Sequence, residues 1–405
     1  MQTNLTEQFR NTPSGQKADK ILRSCVHCGF CTATCPTYQL LGDELDGPRG
    51  RIYQIKQVLE GQQPTARIQK HLDQCLMCRS CETTCPSGVK FGQLLEIGRT
   101  VVEDSVGRNH LSAFLRSLLN QLLPYPGRYK ALYSLGLKCK PLLPITIRKH
   151  LIAVQDCDVD ETDGNDLSSE KTLLMHEGCV QSVVTPETNK LARILFQRLG
   201  YQVKSIKESG CCGAVSDHLL KHADAQEMMK RNVDAWWPSV EAGVEGILVN
   251  ASGCGVMLSE YAEKLAGLPD YAEKAKIIAS LVKDPVELLS NEDLGRLDIQ
   301  VPDLKIAFHA PCTLQHGLKQ QGVVENLLRK LGFNLVEVTD SHLCCGSAGT
   351  YSVFQPEISS TLRSNKLKAL TKENPDIIVT ANIGCQMHLQ SGLDKPVRHW
   401  ISLLV

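Results

Sequence analysis

The 405-residue sequence has no excess of either charge and no long apolar run. Lys and Arg together number 44, and Asp and Glu together also number 44, so the formal net charge is zero. Nucleic-acid-binding proteins usually carry a basic patch that meets the phosphates, so this balance argues against DNA or RNA as a partner. The sequence also lacks any stretch of roughly 18 apolar residues, the length needed to cross a bilayer. No transmembrane segment is therefore predicted.

Residues 1–10 lack the apolar stretch that forms the centre of a secretory signal. Disulfide frameworks belong mainly to small secreted proteins, whereas thiols stay reduced inside the cell. We therefore expect a cytoplasmic protein whose cysteines are available as metal ligands.

Cysteine is abundant, with 18 residues, and eight of them form a pattern that occurs twice. The spacing C-x-x-C-x-x-C-x-x-x-C-P begins at Cys25 and again at Cys75. It is typical of proteins with two 4Fe-4S clusters, in which three thiolates of one turn hold one cluster and the cysteine before proline reaches the other. This rule predicts two crossed ligand sets: Cys25, Cys28, Cys31 and Cys85 for one cluster, and Cys75, Cys78, Cys81 and Cys35 for the second.

Zinc and disulfides explain these eight cysteines less well. Structural zinc usually takes four ligands as two C-x-x-C pairs, which leaves no reason for the third cysteine and the proline of each motif. A disulfide framework does not suit a chain of this length without a secretory signal. Iron–sulfur ligation is the favoured interpretation.

Helical periodicity surrounds the two motifs. Ile52, Ile55, Val58 and Leu59 fall on one helical face, and Gly61 and Pro64 are predicted to end that helix. A second apolar set follows the second motif and comprises Leu94, Leu95, Val101 and Val102. Residues 1–104 are therefore predicted to form a mainly helical ferredoxin-like domain with two clusters.

Residues 105–170 differ in charge from the rest of the chain. Ser105 to Gln155 contains eight basic residues and no acid, with an apolar helical stripe at Leu111, Leu115, Leu118, Leu119 and Leu122. Such a basic amphipathic segment suits an anionic membrane surface or a partner's groove, but we favour a helix packed on its own protein with a solvated basic face. Asp156 to Glu170 has seven acids and no base, which predicts an exposed linker.

The remainder is an internal duplication of residues 171–300 in residues 301–405. Cys179 matches Cys312, and the Cys-Cys-Gly run at Cys211 matches that at Cys344, each at a spacing of 133 residues. Short β-branched runs alternate with helical stretches in both copies, which predicts parallel α/β sheets. The predicted strands are 172–175, 203–206, 305–308 and 335–338, with helices at 187–199 and 324–331 and a buried strand at 247–249 and at 377–379. The fold class is thus an α+β multidomain protein, a helical bicluster domain followed by a duplicated α/β domain.

Each copy contains four further cysteines at matching positions: Cys179, Cys211, Cys212 and Cys254 in the first, and Cys312, Cys344, Cys345 and Cys385 in the second. Adjacent cysteines form strained disulfides, so metal ligation suits them better, and the surrounding glycines allow backbone to approach a cofactor. Inert buried cysteines, duplicated with the gene, are the alternative. His176, His309 and His342 are candidate ligands or proton relays, and Cys139 and Cys157 are expected to be structural.

The residues also resemble a known family, the iron–sulfur subunits of bacterial glycolate oxidase. The resemblance lies in Cys25-Val-His-Cys28-Gly-Phe-Cys31-Thr-Ala-Thr-Cys35-Pro-Thr-Tyr38, Gly42-Asp-Glu-Leu-Asp-Gly-Pro-Arg-Gly-Arg51, Asp234-Ala-Trp-Trp-Pro238, Ser341-His-Leu-Cys-Cys-Gly-Ser-Ala-Gly-Thr-Tyr351 and Thr380-Ala-Asn-Ile-Gly-Cys385. It covers nearly the whole chain. The cysteine motifs alone place the chain in a broader group, with iron–sulfur subunits of anaerobic glycerol-3-phosphate dehydrogenase, lactate-utilisation proteins and heterodisulfide reductase.

The resemblance implies a complex in which FAD-containing subunits oxidise glycolate to glyoxylate, with D-lactate as a second candidate substrate. This chain would pass the electrons to a quinone-type acceptor from a peripheral position on the inner face of the cell membrane. No G-x-G-x-x-G follows a predicted strand, so FAD is expected on partner subunits only, and no catalytic residue is expected here. The alternatives are a subunit of a lactate or glycerol-3-phosphate dehydrogenase, a heterodisulfide-reductase-like thiol redox enzyme, and an assembly scaffold.

The chain departs from the broader group in one respect. In that group each Cys-Cys-Gly repeat normally ends in C-x-x-C, but Ala251 and Asn382 occupy the first cysteine position of each pair. A single third cluster, two altered clusters and no further cluster are therefore all open expectations for the repeats.

Overall fold

The computed structural model describes residues 1–144, 148–149, 151–157 and 171–405. The first part is helical, as predicted. Its helices are Glu7–Arg10, Pro13–Ser24, Pro36–Leu41, Pro48–Leu59, Ala66–Asp73, Ser80–Thr84 and Phe91–Val106. The predicted apolar face of Pro48–Leu59 is buried against Phe91–Val106, where Leu94 and Leu95 are fully buried. A Cβ on Gly98 would lie 2.5 Å from the Ile55 side chain, which shows how closely these two helices pack.

The basic segment forms helices His110–Leu122 and Pro126–Lys138. The first of them differs from our expectation, because its buried residues are polar, whereas Leu111 and Leu118 of the leucine stripe are exposed and the other three leucines are half-buried. Arg116 is 6% exposed and lies over the Phe354 ring, and Asn120 donates a hydrogen bond to Asp224 at 2.6 Å. Leu111 is 77% exposed. The polar contacts with residues far along the chain determine which face turns inward, and these cannot be found from local periodicity.

The predicted acidic linker lies largely outside the described residues. Asp156 and Cys157 belong to its described part, where the Asp156 carboxylate forms an ion pair with the Lys190 ammonium at 2.7 Å. Cys157 packs against an apolar core and Cys139 is half-buried.

Two parallel sheets follow. The first has the strand order β2-β1-β3-β4, and the second has the order β5-β6-β7. The strands are β1 Thr172–His176, β2 Gln202–Lys204, β3 Gly246–Val249, β4 Val282–Lys283, β5 Ile306–His309, β6 Ile377–Thr380 and β7 Val397–His399. β3, β5 and β6 are buried along their whole length, as expected of strands covered on both faces. The prediction of parallel α/β sheets is confirmed.

Helices cover both sheets. Those of the first repeat are Gln181–Val184, Pro186–Arg198, Ala214–His218, His222–Glu241, Ser252–Ser259, Tyr261–Lys264, Pro269–Leu281 and Pro285–Leu289, and those of the second are Val323–Lys330, Tyr351–Phe354, Pro356–Thr371 and Ile383–Gln390. One apolar core takes residues from both sheets, among them Leu173 and Ile306, together with Trp400 just after β7, so the repeats pack on each other.

The predicted strand at 335–338 is wrong in extent. Leu335 forms a single bridge with Ile306, and the pairing ends with the hydrogen bond from Val336 N to Ile306 O. The chain then turns so that the carbonyls of Asp340 and Ser341 accept hydrogen bonds from the Lys366 ammonium. That turn leaves no length for a strand.

Candidate iron–sulfur centres

The first cysteine motif folds into a tight turn after helix Pro13–Ser24. Cys25 ends that helix, and His27 and Gly29 adopt left-handed conformations with φ of 56° and 85°. These two reversals bend the chain so that the thiols of one turn converge. Cys25, Cys28, Cys31 and Cys85 line one cavity near the surface, which Cys81 also touches.

The second motif repeats this backbone fifty residues later. Met77 and Arg79 occupy the positions of His27 and Gly29, with φ of 53° and 62°. A left-handed conformation is costly for a residue with a Cβ, so it persists where surrounding contacts hold it. The Arg79 guanidinium forms an ion pair with Glu260 of the first repeat, which supplies such a contact.

The three thiols of each turn lie close to a cysteine of the other motif, as the pKa shifts show. Burial, together with the nearby thiols of Cys25 and Cys85, raises the pKa of Cys31 to about 11. Burial also raises the pKa of Cys81 well above its ordinary value, and Cys35 is among the thiols that raise it further. Each turn of three cysteines therefore has as its neighbour the cysteine before proline of the other motif. Two groups of four neighbouring thiols are the ligand set that two iron–sulfur clusters require, so the residues fit two clusters.

The two thiol groups differ in depth. Cys28 is exposed, and its neighbours Val26 and Phe30 are 67% and 61% exposed. Cys78 of the second group instead packs in an apolar cluster with Cys312 and Cys344 of the second repeat. The first group is thus open to a partner, and the second faces the repeats.

A buried cation that the cysteine motifs do not reveal lies beside the second group. Arg51 is fully buried, and its guanidinium donates hydrogen bonds to His71 O at 2.8 Å and to Thr37 Oγ1 at 3.1 Å. The same guanidinium donates a third hydrogen bond, to Asp46 Oδ1 at 3.4 Å. Burial raises the pKa of Cys75, and the Arg51 charge opposes that rise. The signal in the sequence is an arginine beside the buried face of an otherwise predictable helix.

In the first repeat, four thiols and one imidazole lie together at the carboxyl ends of the strands. Cys179 and Cys211 have their sulfur atoms 3.4 Å apart, and Cys212, Cys254 and His176 have ligand atoms within 4.8 Å of one another. The hydrogen bond with Cys212 is the main reason that the pKa of Cys254 is lowered to about 6, and His176 contributes to this shift.

The second repeat builds the same arrangement. The sulfur atoms of Cys312 and Cys344 are 3.9 Å apart, and His309, Cys345 and Cys385 form the matching group. The glycine after each cysteine pair is left-handed, with φ of 93° at position 213 and 90° at position 346, and its N–H donates to the sulfur two residues before it. This local turn places both adjacent thiols in the buried group, one beside the first cysteine of the repeat and the other beside the last cysteine and the histidine.

The two departures from C-x-x-C have different surroundings. Ala251 packs in an apolar cluster with Tyr129 and Ile383. Asn382 donates a hydrogen bond from Nδ2 to Cys385 Sγ at 3.5 Å, and its Oδ1 accepts one from Gly253 N at 3.2 Å. His342 lies outside these groups, and its carbonyl accepts a hydrogen bond from His316. Cys139 and Cys157 belong to none of the groups.

Comparison with known proteins agrees with these centres. A family model described as "4Fe-4S dicluster domain" matches residues 21–89, and one described as "Cysteine-rich domain" matches residues 173–259 and 306–390. The glycolate oxidase iron-sulfur subunit of Escherichia coli (strain K12) is 51% identical over 404 residues, which cover 100% of this chain and 98% of that protein. The chain belongs to the family of glycolate oxidase iron–sulfur subunits.

More distant relatives place this family within the broader group. A probable glycolate oxidase iron-sulfur subunit of Bacillus subtilis is 29% identical over 96% of this chain and 93% of its own length. Lactate utilization protein A of Shouchella clausii is 25% identical over 54% of this chain and 89% of its own. The predicted membership in an iron–sulfur oxidoreductase family and the presence of iron–sulfur clusters are confirmed. Among the described residues, we find no helix with the length and apolar character needed to span a membrane.

Proposed function

We propose that this chain is the electron-transfer subunit of a flavin-dependent glycolate oxidase. FAD-containing partner subunits oxidise glycolate to glyoxylate, with D-lactate as a second candidate substrate, and this chain passes the electrons to a quinone-type acceptor. The observation that carries the proposal is the pair of four-thiol groups, one open to the surface and one facing the repeats. A 4Fe-4S cluster held by each group would accept and release one electron at a time, so the two electrons of a reduced flavin would leave in sequence.

The proposed route runs from the exposed group to the buried group and on to the second repeat. Cys78 lies so near Cys312 that the latter thiol is, after burial, the largest cause of the raised pKa of Cys78. Tyr351 of the second repeat donates a hydrogen bond to Gln74 O at 3.0 Å, beside Cys75. These contacts hold the second repeat against the buried group.

We also propose that the basic segment lies on the cytoplasmic surface of the cell membrane, where the acceptor is. Leu111, Phe114 and Leu118 are exposed, and the next helix presents Arg128 and Lys130 to solvent. Exposed apolar side chains beside exposed basic ones suit the boundary of an anionic bilayer, which attracts the charges and receives the apolar groups.

The proposed route is tested in a complex with the flavin subunits, reconstituted under anaerobic conditions. We expect Cys344→Ser to lower glycolate-dependent quinone reduction roughly tenfold or more. The flavin subunits should still reduce an artificial dye, because the substitution lies beyond the site of glycolate oxidation. Cys139→Ser is the matched control and should retain both activities. Loss of dye reduction together with quinone reduction, or quinone reduction unchanged by Cys344→Ser, would argue against the route.

Membrane attachment is tested with vesicles that contain phosphatidylglycerol. The double variant Leu111→Asp, Phe114→Asp should bind them less than the parent, and added salt should weaken binding of both proteins. Val301→Asp, at a position that is 42% exposed, serves as the control for a new surface charge. Equal binding by all three proteins would exclude this segment as the attachment site.

A further inference from the structure

Both repeats place a histidine at the same point, three residues before the first cysteine. His176 is the last residue of β1 and His309 is the last residue of β5, and the 133-residue spacing between them equals that between Cys179 and Cys312. The carboxyl ends of parallel strands meet the loops that contain the cysteines, so this position brings the imidazole to the thiols. Each histidine accordingly has a ligand atom within 4.8 Å of two sulfur atoms.

The imidazoles are buried without complete hydrogen bonding. His176 and His309 are each 2% exposed, and the Nε2 atom of each is buried without a hydrogen-bond partner. Burial of a polar atom without a partner is unfavourable, so such an atom in a native protein calls for an explanation. His399, at the end of β7, shows the ordinary outcome, since its Nε2 bonds to Asn250 O at 2.8 Å.

The other ring nitrogen of His309, Nδ1, contacts a neighbouring strand. His309 Nδ1 lies 2.9 Å from Thr380 Oγ1 on β6, which leaves Nε2 directed elsewhere. A metal-bound histidine characteristically has its second nitrogen fixed by such a hydrogen bond. His176 is held differently, by an edge-to-face contact with the Trp236 ring at 5.9 Å between centroids. Both rings are therefore fixed in place before any metal binds.

A cysteine ligand is missing from each repeat three residues before the last cysteine. Ala251 has no donor atom in its side chain, and Asn382 directs its amide N–H to the Cys385 sulfur. Four thiols and one imidazole remain in each repeat. Iron–sulfur clusters accept histidine in place of cysteine, so the imidazole supplies a ligand where the usual cysteine is missing.

We propose that Nε2 of His176 and Nε2 of His309 are iron ligands, each completing a site of four thiolates and one imidazole for an iron–sulfur cluster. This inference deepens the proposed function, because it assigns further electron carriers to the repeats. A neutral imidazole in place of an anionic thiolate raises the reduction potential of a cluster. The hydrogen bond from Asn382 to Cys385 acts in the same direction in the second repeat alone.

The inference is tested on the complex with and without ¹⁵N-labelled histidine. Pulsed electron paramagnetic resonance of the reduced protein should show a nitrogen coupling that changes with the isotope. His176→Ala and His309→Ala should each remove one coupling and part of the iron, whereas His399→Gln should retain both couplings. The conservative variants His176→Cys and His309→Cys should keep the iron, lose the coupling and lower the midpoint potential of the altered site.

The two proposals fail in different ways. Couplings that persist in both histidine variants, zinc in place of iron in the repeats, or an iron content no greater than that of the two N-terminal groups would overturn the ligand assignment. None of these results depends on glycolate-dependent electron transfer. A complex with histidine couplings but no reduction by glycolate would overturn the proposed function and leave the ligands in place.

Discussion

Pairs of cysteine-to-alanine substitutions distinguish crossed from uncrossed ligation by the iron that each variant retains. In the crossed arrangement, Cys28 and Cys85 bind the same cluster, whereas Cys28 and Cys35 bind different ones. Each 4Fe-4S cluster contains about four iron atoms. The pair Cys28→Ala, Cys85→Ala should therefore lose about four N-terminal iron atoms, and the pair Cys28→Ala, Cys35→Ala about eight. Uncrossed ligation predicts the opposite result for the two pairs.

The structure supports this expectation through the neighbours of each thiol. Cys85 raises the pKa of Cys25 and of Cys31, whereas Cys35 raises that of Cys81. Cysteines that share a cluster lie beside one another, so the proximity of Cys85 to the first turn and of Cys35 to the second is the arrangement that crossed ligation requires. The proline after Cys35 begins helix Pro36–Leu41, which carries the chain away from the first turn.

The assay is an iron and sulfide count on anaerobically purified protein, with the single variants measured first to establish that each loses one cluster. A soluble dysprosium chelate provides a second readout, because it broadens the resonance of a cluster near the surface more than that of a buried one. Cys35→Ala should leave the chelate-sensitive signal, and Cys85→Ala should leave the insensitive one. Cys139→Ala should lose no iron. Loss of all the N-terminal iron in the Cys28, Cys85 pair, with half of it retained in the Cys28, Cys35 pair, would refute the crossed arrangement.

Three further predictions concern groups outside the thiols. Burial raises the pKa of Asp284 from 3.8 to about 7, so its stabilising neutral form is fully present below pH 4 and is lost as the pH rises through 7. At 1.36 kcal/mol for each pKa unit, the loss in the free energy of unfolding is at most about 4 kcal/mol. Asp284→Asn should therefore resist urea better than the parent at pH 8 and equally well at pH 4. Parallel pH profiles of the unfolding free energy for the two proteins would contradict the shift. Arg51→Met should lower the midpoint potential of the buried cluster, by roughly 70 mV if the charge acts over about 10 Å at an effective dielectric constant of about 20. Arg51→Lys keeps the charge and should shift the potential less. An unchanged potential in Arg51→Met would show that the charge is screened. Gly98→Ala should destabilise the holoprotein by about 1–3 kcal/mol, because the new methyl group would overlap the Ile55 side chain. At Gly127 an added methyl group meets no atom within 4 Å, so Gly127→Ala is the control and should be neutral or stabilising. Thermal unfolding measures both effects.

The elements that sequence reasoning located correctly are those whose causes are local. The helix around Ile52 was predictable because its apolar spacing and the glycine and proline after it lie within a few turns. The parallel sheets were predictable because buried strands such as β3 contain uninterrupted apolar residues. The grouping of eight cysteines was predictable since ligand spacing is a property of a single turn, although the final ligand sets are still a prediction.

The features that sequence reasoning missed depend on distant contacts. The inward face of helix His110–Leu122 is set by Asp224 and Phe354, which lie more than one hundred residues later. A leucine stripe alone predicts the opposite face. The role of Arg51 was likewise hidden, because the carbonyl and hydroxyl that it binds come from two other segments.

Helix His110–Leu122 lies between the proposed membrane surface and the second, buried cysteine group. Arg116 on its inner face lies 4.4 Å from the centroid of the Phe354 ring, and it shares a cavity with Cys75, Tyr351 and Phe354. Burial lowers the pKa of Arg116 to about 10, so it keeps its charge at neutral pH. The outer face of the same helix presents Leu111 to solvent. If the helix packed the other way, its leucines would be buried and the segment would have no apolar face for a bilayer. This helix therefore has a buried cation in the cavity that Cys75 also lines and exposed apolar side chains on its outer face, so it separates the second cysteine group from the surface that we assign to the membrane.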